Sequence, residues 1–194
     1  TAMVRAVNDV QARRIAAGEV PLAFAIATGD NCDNQQANEL GWFIAGLDGG
    51  AVSPNSGGPA YEGVQSPDWA DVAYWIPAGR IPDRYKTVHG FPAEDAWGFD
   101  PDGLLRTATS AFDAPALAMP WYVAYGNHDG LIQGNMPANA ALEAIATGGL
   151  KVTGPPPGFD PCGVMRSLDP TTLFAGPVQP VTPDPGRRIV SRAE

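Results

Sequence analysis

Two stretches of this chain carry residue types suited to binding a hard cation or moving a proton. Gly29-Asp30-Asn31-Cys32-Asp33 follows the apolar run Leu22–Thr28, and Gly126-Asn127-His128-Asp129 follows Trp121-Tyr122-Val123-Ala124-Tyr125. Each apolar run reads as a short buried strand that ends in a glycine and then delivers carboxylate, amide or imidazole groups. In open α/β sheets, ligands and catalytic groups collect at the C-terminal ends of strands. A hydrolytic two-metal site needs two cations about 3.5–4 Å apart, clamping the attacking and leaving oxygens. A carboxylate has two oxygens to share between such cations, which suits Asp30. The Asn127 amide oxygen suits a hard cation as a further ligand. An imidazole titrates near neutrality, which suits His128 to proton donation to a leaving oxygen. Asp33 or Asp129 then serves to orient the imidazole.

The two stretches together resemble the calcineurin-like metallophosphoesterases. That family carries, in order, Asp-x-His, Gly-Asp-x-x-Asp, Gly-Asn-His-Asp/Glu, a lone His and Gly-His-x-His. Gly29–Asp33 matches the second block and Gly126–Asp129 the third. The first, fourth and fifth are absent, and His89 and His128 are the chain's only histidines. The resemblance implies Asp30 and Asn127 as metal ligands, His128 as a catalytic residue that does not bind metal, and two divalent ions (Mn, Fe, Zn or similar). It implies a small-molecule phosphate ester as substrate. The expected fold is α/β, part of a sandwich of two mixed β-sheets flanked by helices. The missing blocks make the chain read as an internal fragment, inactive alone. The alternative is a non-catalytic binding module on a phosphoesterase-like scaffold. The Pro-rich tail, Tyr125–Leu131 and Asp83-Arg84-Tyr85-Lys86 are similar to a larger, actinobacterial subgroup whose members are often exported through a twin-arginine signal.

The elements that must position these residues begin with an amphipathic helix over Met3–Ala17. Val4, Val7, Val10 and Ile15 are expected inward, and Gly18 and Pro21 stop it. Leu22–Thr28 lacks alternation, as in a strand covered on both faces. A helix capped by Asn34 is expected through about Leu47, with Leu40, Phe43, Ile44 and Leu47 inward. Residues 48–103 read as an irregular Gly-, Pro- and Trp-rich insertion. It separates Asp30 from Asn127 by 97 positions and serves either packing or substrate contact. Trp69, Trp75 and Trp97 lie there, and so does His89, read as a loop histidine. A helix over Asp102–Asp113 precedes the second strand. Another starts near Pro137 and runs to about Thr147, followed by a short strand at Leu150–Val152. Residues 1–153 form the partial domain, and 154–194 a Pro-rich extended segment, with Ser191 placed to cap another helix.

Composition bounds the function. The net charge of −9 argues against nucleic acid as a partner, because phosphate backbones are met by basic faces. A phosphate ester remains compatible, since bound cations would set the local field. Cys32 and Cys162, 130 positions apart, predict no disulfide framework. No run approaches the roughly 18 apolar residues of a transmembrane helix.

Overall fold

A computed structural model describes residues 1–63, 101–167, 170–191 and 194. The heart of the expected insertion, with Trp69, Trp75, Trp97 and His89, lies outside the described residues. The architecture is mixed α/β, with three two-stranded sheets and five α-helices among the described residues.

Helix α1 spans Ala2–Ala16. It ends where the sequence expects: Gly18 adopts φ +70°, its N–H reaches Ile15 O (3.1 Å), and the Glu19 N–H reaches Arg14 O (2.9 Å). This paired closure satisfies carbonyls that the last turn would otherwise strand. The inner face differs from the expected stripe. Val4 and Gln11 are buried and Val7 and Asn8 half-buried, while Val10 and Ile15 face solvent. The inward amides explain the rotation. Gln11 brackets Leu22, with Nε2 donating to its carbonyl (3.1 Å) and Oε1 accepting from its N–H (2.7 Å). Asn8 does the same further on, donating to Ala116 O and accepting from Ala118 N–H, each at 2.8 Å. The helix therefore ties down both segments that lead into the central strands.

Those strands are β1 (Ala25–Ala27) and, later in the chain, β4 (Trp121–Val123), paired in parallel with Ala25, Ile26 and Ala27 opposite Trp121, Tyr122 and Val123. Both are shorter than their apolar runs. One face is half-buried and holds Ala25, Ala27 and Trp121, whose ring meets Phe43 edge-on at 6.0 Å. The other is open, contrary to the expectation of cover on both sides: Phe24, Ile26 and Tyr122 are 55%, 58% and 59% exposed. On that side Phe24 meets Tyr122 edge-to-face at 5.7 Å.

Helix α2 spans Ala37–Asp48 and is capped at Gln36, not at Asn34. Glu39 reaches back so that its Oε2 accepts from the N–H groups of Asn34 (2.9 Å) and Gln36 (3.4 Å). Asn34 is thus part of the turn that Glu39 holds. Leu40, Phe43 and Leu47 are half-buried as expected, whereas Ile44 is exposed. Gly49 turns the chain at φ +87°, and a Cβ there would lie 2.9 Å from Ala116 N. The next residues form β2 (Gly50–Val52), antiparallel to β3 (Phe112–Ala114). Regular structure therefore begins inside the region read as irregular.

Helix α3 covers Pro101–Ala108 and stops short of the expected end. The Ser110 hydroxyl donates to Arg106 O (2.6 Å), a local bond that competes with the helical ladder. Phe112 then pairs with Val52. Helix α4 (Ala140–Thr147) starts later than Pro137 suggests. Asn139 is its cap, with Oδ1 accepting from Ala141 N and Leu142 N at 3.0 Å.

Strand β5 (Leu150–Val152) pairs antiparallel with β6 (Val178–Pro180). The tail between them is not extended throughout: α5 spans Pro161–Ser167, and 3₁₀ turns cover Pro170–Ala175 and, beyond β6, Pro185–Arg187. Residues 188–190 return to the front of α2. Ala37 N donates to Arg188 O (2.9 Å), Val190 N to Gln35 O (2.9 Å) and Ile189 N to Glu143 Oε2 (2.7 Å). Val4, Val52, Ala114, Met119 and Met136 are the buried apolar side chains among the described residues. No helix among them is long and apolar enough to cross a membrane.

Candidate active site

The two polar turns meet. Leaving β1, Gly29 takes φ +115° and Asp30 φ +54°. The second value is left-handed, a region an aspartate tolerates better than most residues. Gly126, leaving β4, lies directly against this bend. A Cβ on Gly126 would stand 2.3 Å from both Asp30 N and Asp30 Oδ1, and one on Gly29 would stand 2.9 Å from Gly126 Cα. Glycine is required at both positions so that the two backbones touch.

That contact brings Asp30 against the Asn127–His128 peptide: Asp30 Oδ1 accepts the His128 N–H at 3.1 Å. Asn127 is exposed. Of the two carboxylates open to orient His128, the structure selects Asp33, whose Oδ1 lies 2.8 Å from His128 Nδ1. The hydrogen bond to Asp33 holds the imidazole pKa above its ordinary value. Burial opposes the shift, and the charges of Asp30, Asp33 and Asp129 add to it.

Asp129 has a different task. Its Oδ1 accepts from the N–H groups of Asn31 (2.6 Å) and Cys32 (2.7 Å). Its Oδ2 accepts from Gly126 N–H (2.8 Å) and Asn31 Nδ2 (3.2 Å). Burial pushes this carboxyl up, but the backbone N–H groups of Gly126, Cys32 and Asn31 outweigh it and hold the pKa below the ordinary value. Asp129 is the clamp that fastens the Asp30 loop to the Gly126 turn. Asn31 and Gln35, which residue-type reasoning passed over, extend the clamp. Asn31 Nδ2 also donates to Ala124 O (3.1 Å). Gln35, at φ +56°, accepts from Leu131 N (3.1 Å) and donates to Val190 O (2.7 Å). Their signal in the sequence is faint, because amides beside a Gly-Asp turn read equally well as loop filler.

Cys32 sits between these groups. Burial, with the charges of Glu39 and Asp129, pushes its thiol up to about 11. Cys32 and Cys162 are both free.

Asp30, Asp33 and His128 open into a groove of about 730 Å³, and Trp42, Phe43 and Phe112 also line it. The donor set fits a metal cluster only in part. Asp129 is saturated by N–H donors, Asp33 is engaged with His128, and Asp30 itself accepts the His128 N–H. Among the described residues, no group of three or more His, Cys, Asp or Glu side chains is arranged to hold a metal ion. No protein-family model matches the chain, and no curated protein or solved structure matches it either.

Proposed function

We propose that the two turns are part of a phosphoric ester hydrolase site that works with two divalent metal ions. The observation that supports this reading best is the meeting of Asp30 with the Asn127–His128 peptide, beside an imidazole held by Asp33. Bound metals supply Lewis acidity and an activated water in such a site. Asp30 and Asn127 are the ligands from this chain, and the ligand blocks that the resemblance implies and this sequence lacks would complete the shell. The finer arrangement belonging to this reading is the two-sheet sandwich, and its substrate class is a small-molecule phosphate ester.

The residues on the page do the protonic work. An ionised carboxylate only accepts, so the short bond to Asp33 puts a proton on His128 Nδ1. Nε2 is then the ring nitrogen left for a ligand, and the raised pKa keeps the ring protonated to higher pH than a free imidazole. A protonated Nε2 beside the phosphate neutralises charge and delivers its proton to the leaving oxygen.

The test uses this chain and manganese. Weak Mn²⁺ binding that Asp30→Asn abolishes and His128→Ala leaves intact is the expected result. Binding indifferent to Asp30→Asn overturns the assignment. In a protein carrying the full ligand set, His128→Ala should lower turnover about 10²–10⁴-fold. The loss should be larger for an alkyl ester than for an aryl ester, whose leaving group needs little protonation. Metal binding without hydrolysis in that protein favours the binding-module alternative.

A further inference from the structure

The groove that holds Asp30, Asp33 and His128 is lined by two kinds of residue, and the division follows the elements. Those three polar side chains come from the two turns. Glu39 of α2 joins them, with its Oε2 bonded to the N–H groups of Asn34 and Gln36. The apolar lining comes from the scaffold: Trp42 and Phe43 of α2, Val52 of β2 and Phe112 of β3. Local geometry fixes this surface. Phe43 meets Trp121 edge-on at 6.0 Å. Val52 and Phe112 are register partners, so their side chains stand on one face of the β2–β3 pair. Val52 is buried there, but Phe112 is 40% exposed. An aromatic ring left open inside a groove is contact area for a flat ligand. The volume of about 730 Å³ lies in the range of pockets that take an organic molecule, and exceeds what a bare phosphate ion fills.

We propose that this groove receives the alcohol half of the ester, and that this half is a flat apolar group laid against Trp42, Phe43 and Phe112. The inference rests on the phosphoesterase reading. In hydrolysis the oxygen of the attacking water bonds to phosphorus, the ester P–O bond breaks, and the departing oxygen takes the His128 proton. That oxygen must therefore face His128, and the group attached to it continues into the groove that His128 lines. The carboxylates of Asp30, Asp33 and Glu39 repel a second anionic group, so the alcohol half carries none.

Calorimetric titration of the whole chain tests it, with naphthol and glycerol as probes in EDTA and naphthyl phosphate as the probe in Mn²⁺. Naphthol should bind at least about ten-fold more tightly than glycerol, which has no ring to lay down. Phe112→Ala should weaken naphthol about three- to ten-fold, the worth of one aromatic contact, and Phe112→Tyr, which keeps the ring, should restore it. NMR cross-peaks between naphthol and the Phe112 ring check the same contact without a variant. Naphthol should also displace naphthyl phosphate in Mn²⁺, because the two share the groove. Naphthol that binds no better than glycerol overturns the proposal. So does a Phe112→Ala protein that binds naphthol as the parent does, or naphthyl phosphate that naphthol fails to displace. None of these results bears on the manganese titration of Asp30→Asn, which decides the phosphoesterase reading by itself. Naphthyl phosphate that gains nothing from Mn²⁺, while naphthol binds and responds to Phe112, overturns that reading and not the groove.

Discussion

Residues 29–36 and 124–131 meet through Asp30, Asn31, Gln35 and Asp129, with the clamping carboxylate accepting four N–H groups. The strands that deliver them, β1 and β4, share three residue pairs and leave Phe24, Ile26 and Tyr122 in solvent. Among the described residues, precision therefore resides in turn-to-turn hydrogen bonding, not in a deep apolar core beneath the turns. A site held that way should be sensitive to single polar or glycine positions and tolerant of change in the strands.

The sharpest way to break the contrast is Asp129→Ala. It strands N–H donors of Gly126, Asn31 and Cys32 at once. Bonds to a charged acceptor and partly buried orphan donors together put the cost at about 3 kcal/mol. Denaturant unfolding at pH 7 measures it. The pH dependence has a definite sign. A carboxyl held below its ordinary value near 3.8 adds stability above that value and loses it as pH falls through the folded value. The gap between parent and variant should therefore narrow below pH 4.

Gly126→Ala comes next. A Cβ placed 2.3 Å from the Asp30 backbone forces the two turns apart, at a cost of about 2 kcal/mol. Gly46→Ala is the counterpart in α2, where an added Cβ meets nothing within 4 Å. It should be neutral or stabilising by up to about 1 kcal/mol, because alanine is the better helix former. Equal losses at the two glycines would erase the distinction between junction and scaffold.

A third measurement reads the junction's electrostatics without perturbing its fold. The imidazole of His128 should titrate above 6.5 by NMR, and Asp33→Asn should bring the midpoint down. The sign follows from the direction of the shift. The His128–Asp33 pair stabilises the fold fully below the unfolded value and loses that contribution as pH rises through the folded one. A midpoint unmoved by Asp33→Asn means that Asp33 does not orient the ring.

These contrasts also explain what the sequence made legible. The junction was visible because Gly-Asp and Gly-Asn-His-Asp encode a local requirement, a glycine where backbones touch and ligand-type side chains beside it. The end of α1 was visible for the same reason, in Gly18 and Pro21. Its inner face was not, because apolar periodicity gives no weight to Asn8 and Gln11, whose amides bond to Ala116, Ala118 and Leu22. β2 and β3 have three residues each, too few for alternation to register. In the tail, the number of prolines masked those that open helical turns, Pro161 at the first position of α5 and Pro170 and Pro185 at the 3₁₀ turns. The division of labour between Asp33 and Asp129 depends on which carboxylate faces the ring and which faces the N–H groups, and that exists only once the two turns have met.

The smallest expected effect is the most direct probe of the open strands. Ile26 is the middle residue of β1, opposite Tyr122, and is 58% exposed. In a strand covered on both faces, replacing such a residue with threonine would bury a hydroxyl and lose a methyl contact, at about 1–3 kcal/mol. Here threonine keeps the β-branched shape that suits a strand, and its hydroxyl meets water. Ile26→Thr should therefore change unfolding free energy by no more than about 0.5 kcal/mol. It should also leave the His128 midpoint where it was, since no bond of the junction passes through the Ile26 side chain. A loss of about 2 kcal/mol, within the range for a buried position, would mean that this face is covered in solution. The contrast between a hydrogen-bonded junction and a bare pair of strands would then fail at its weaker half.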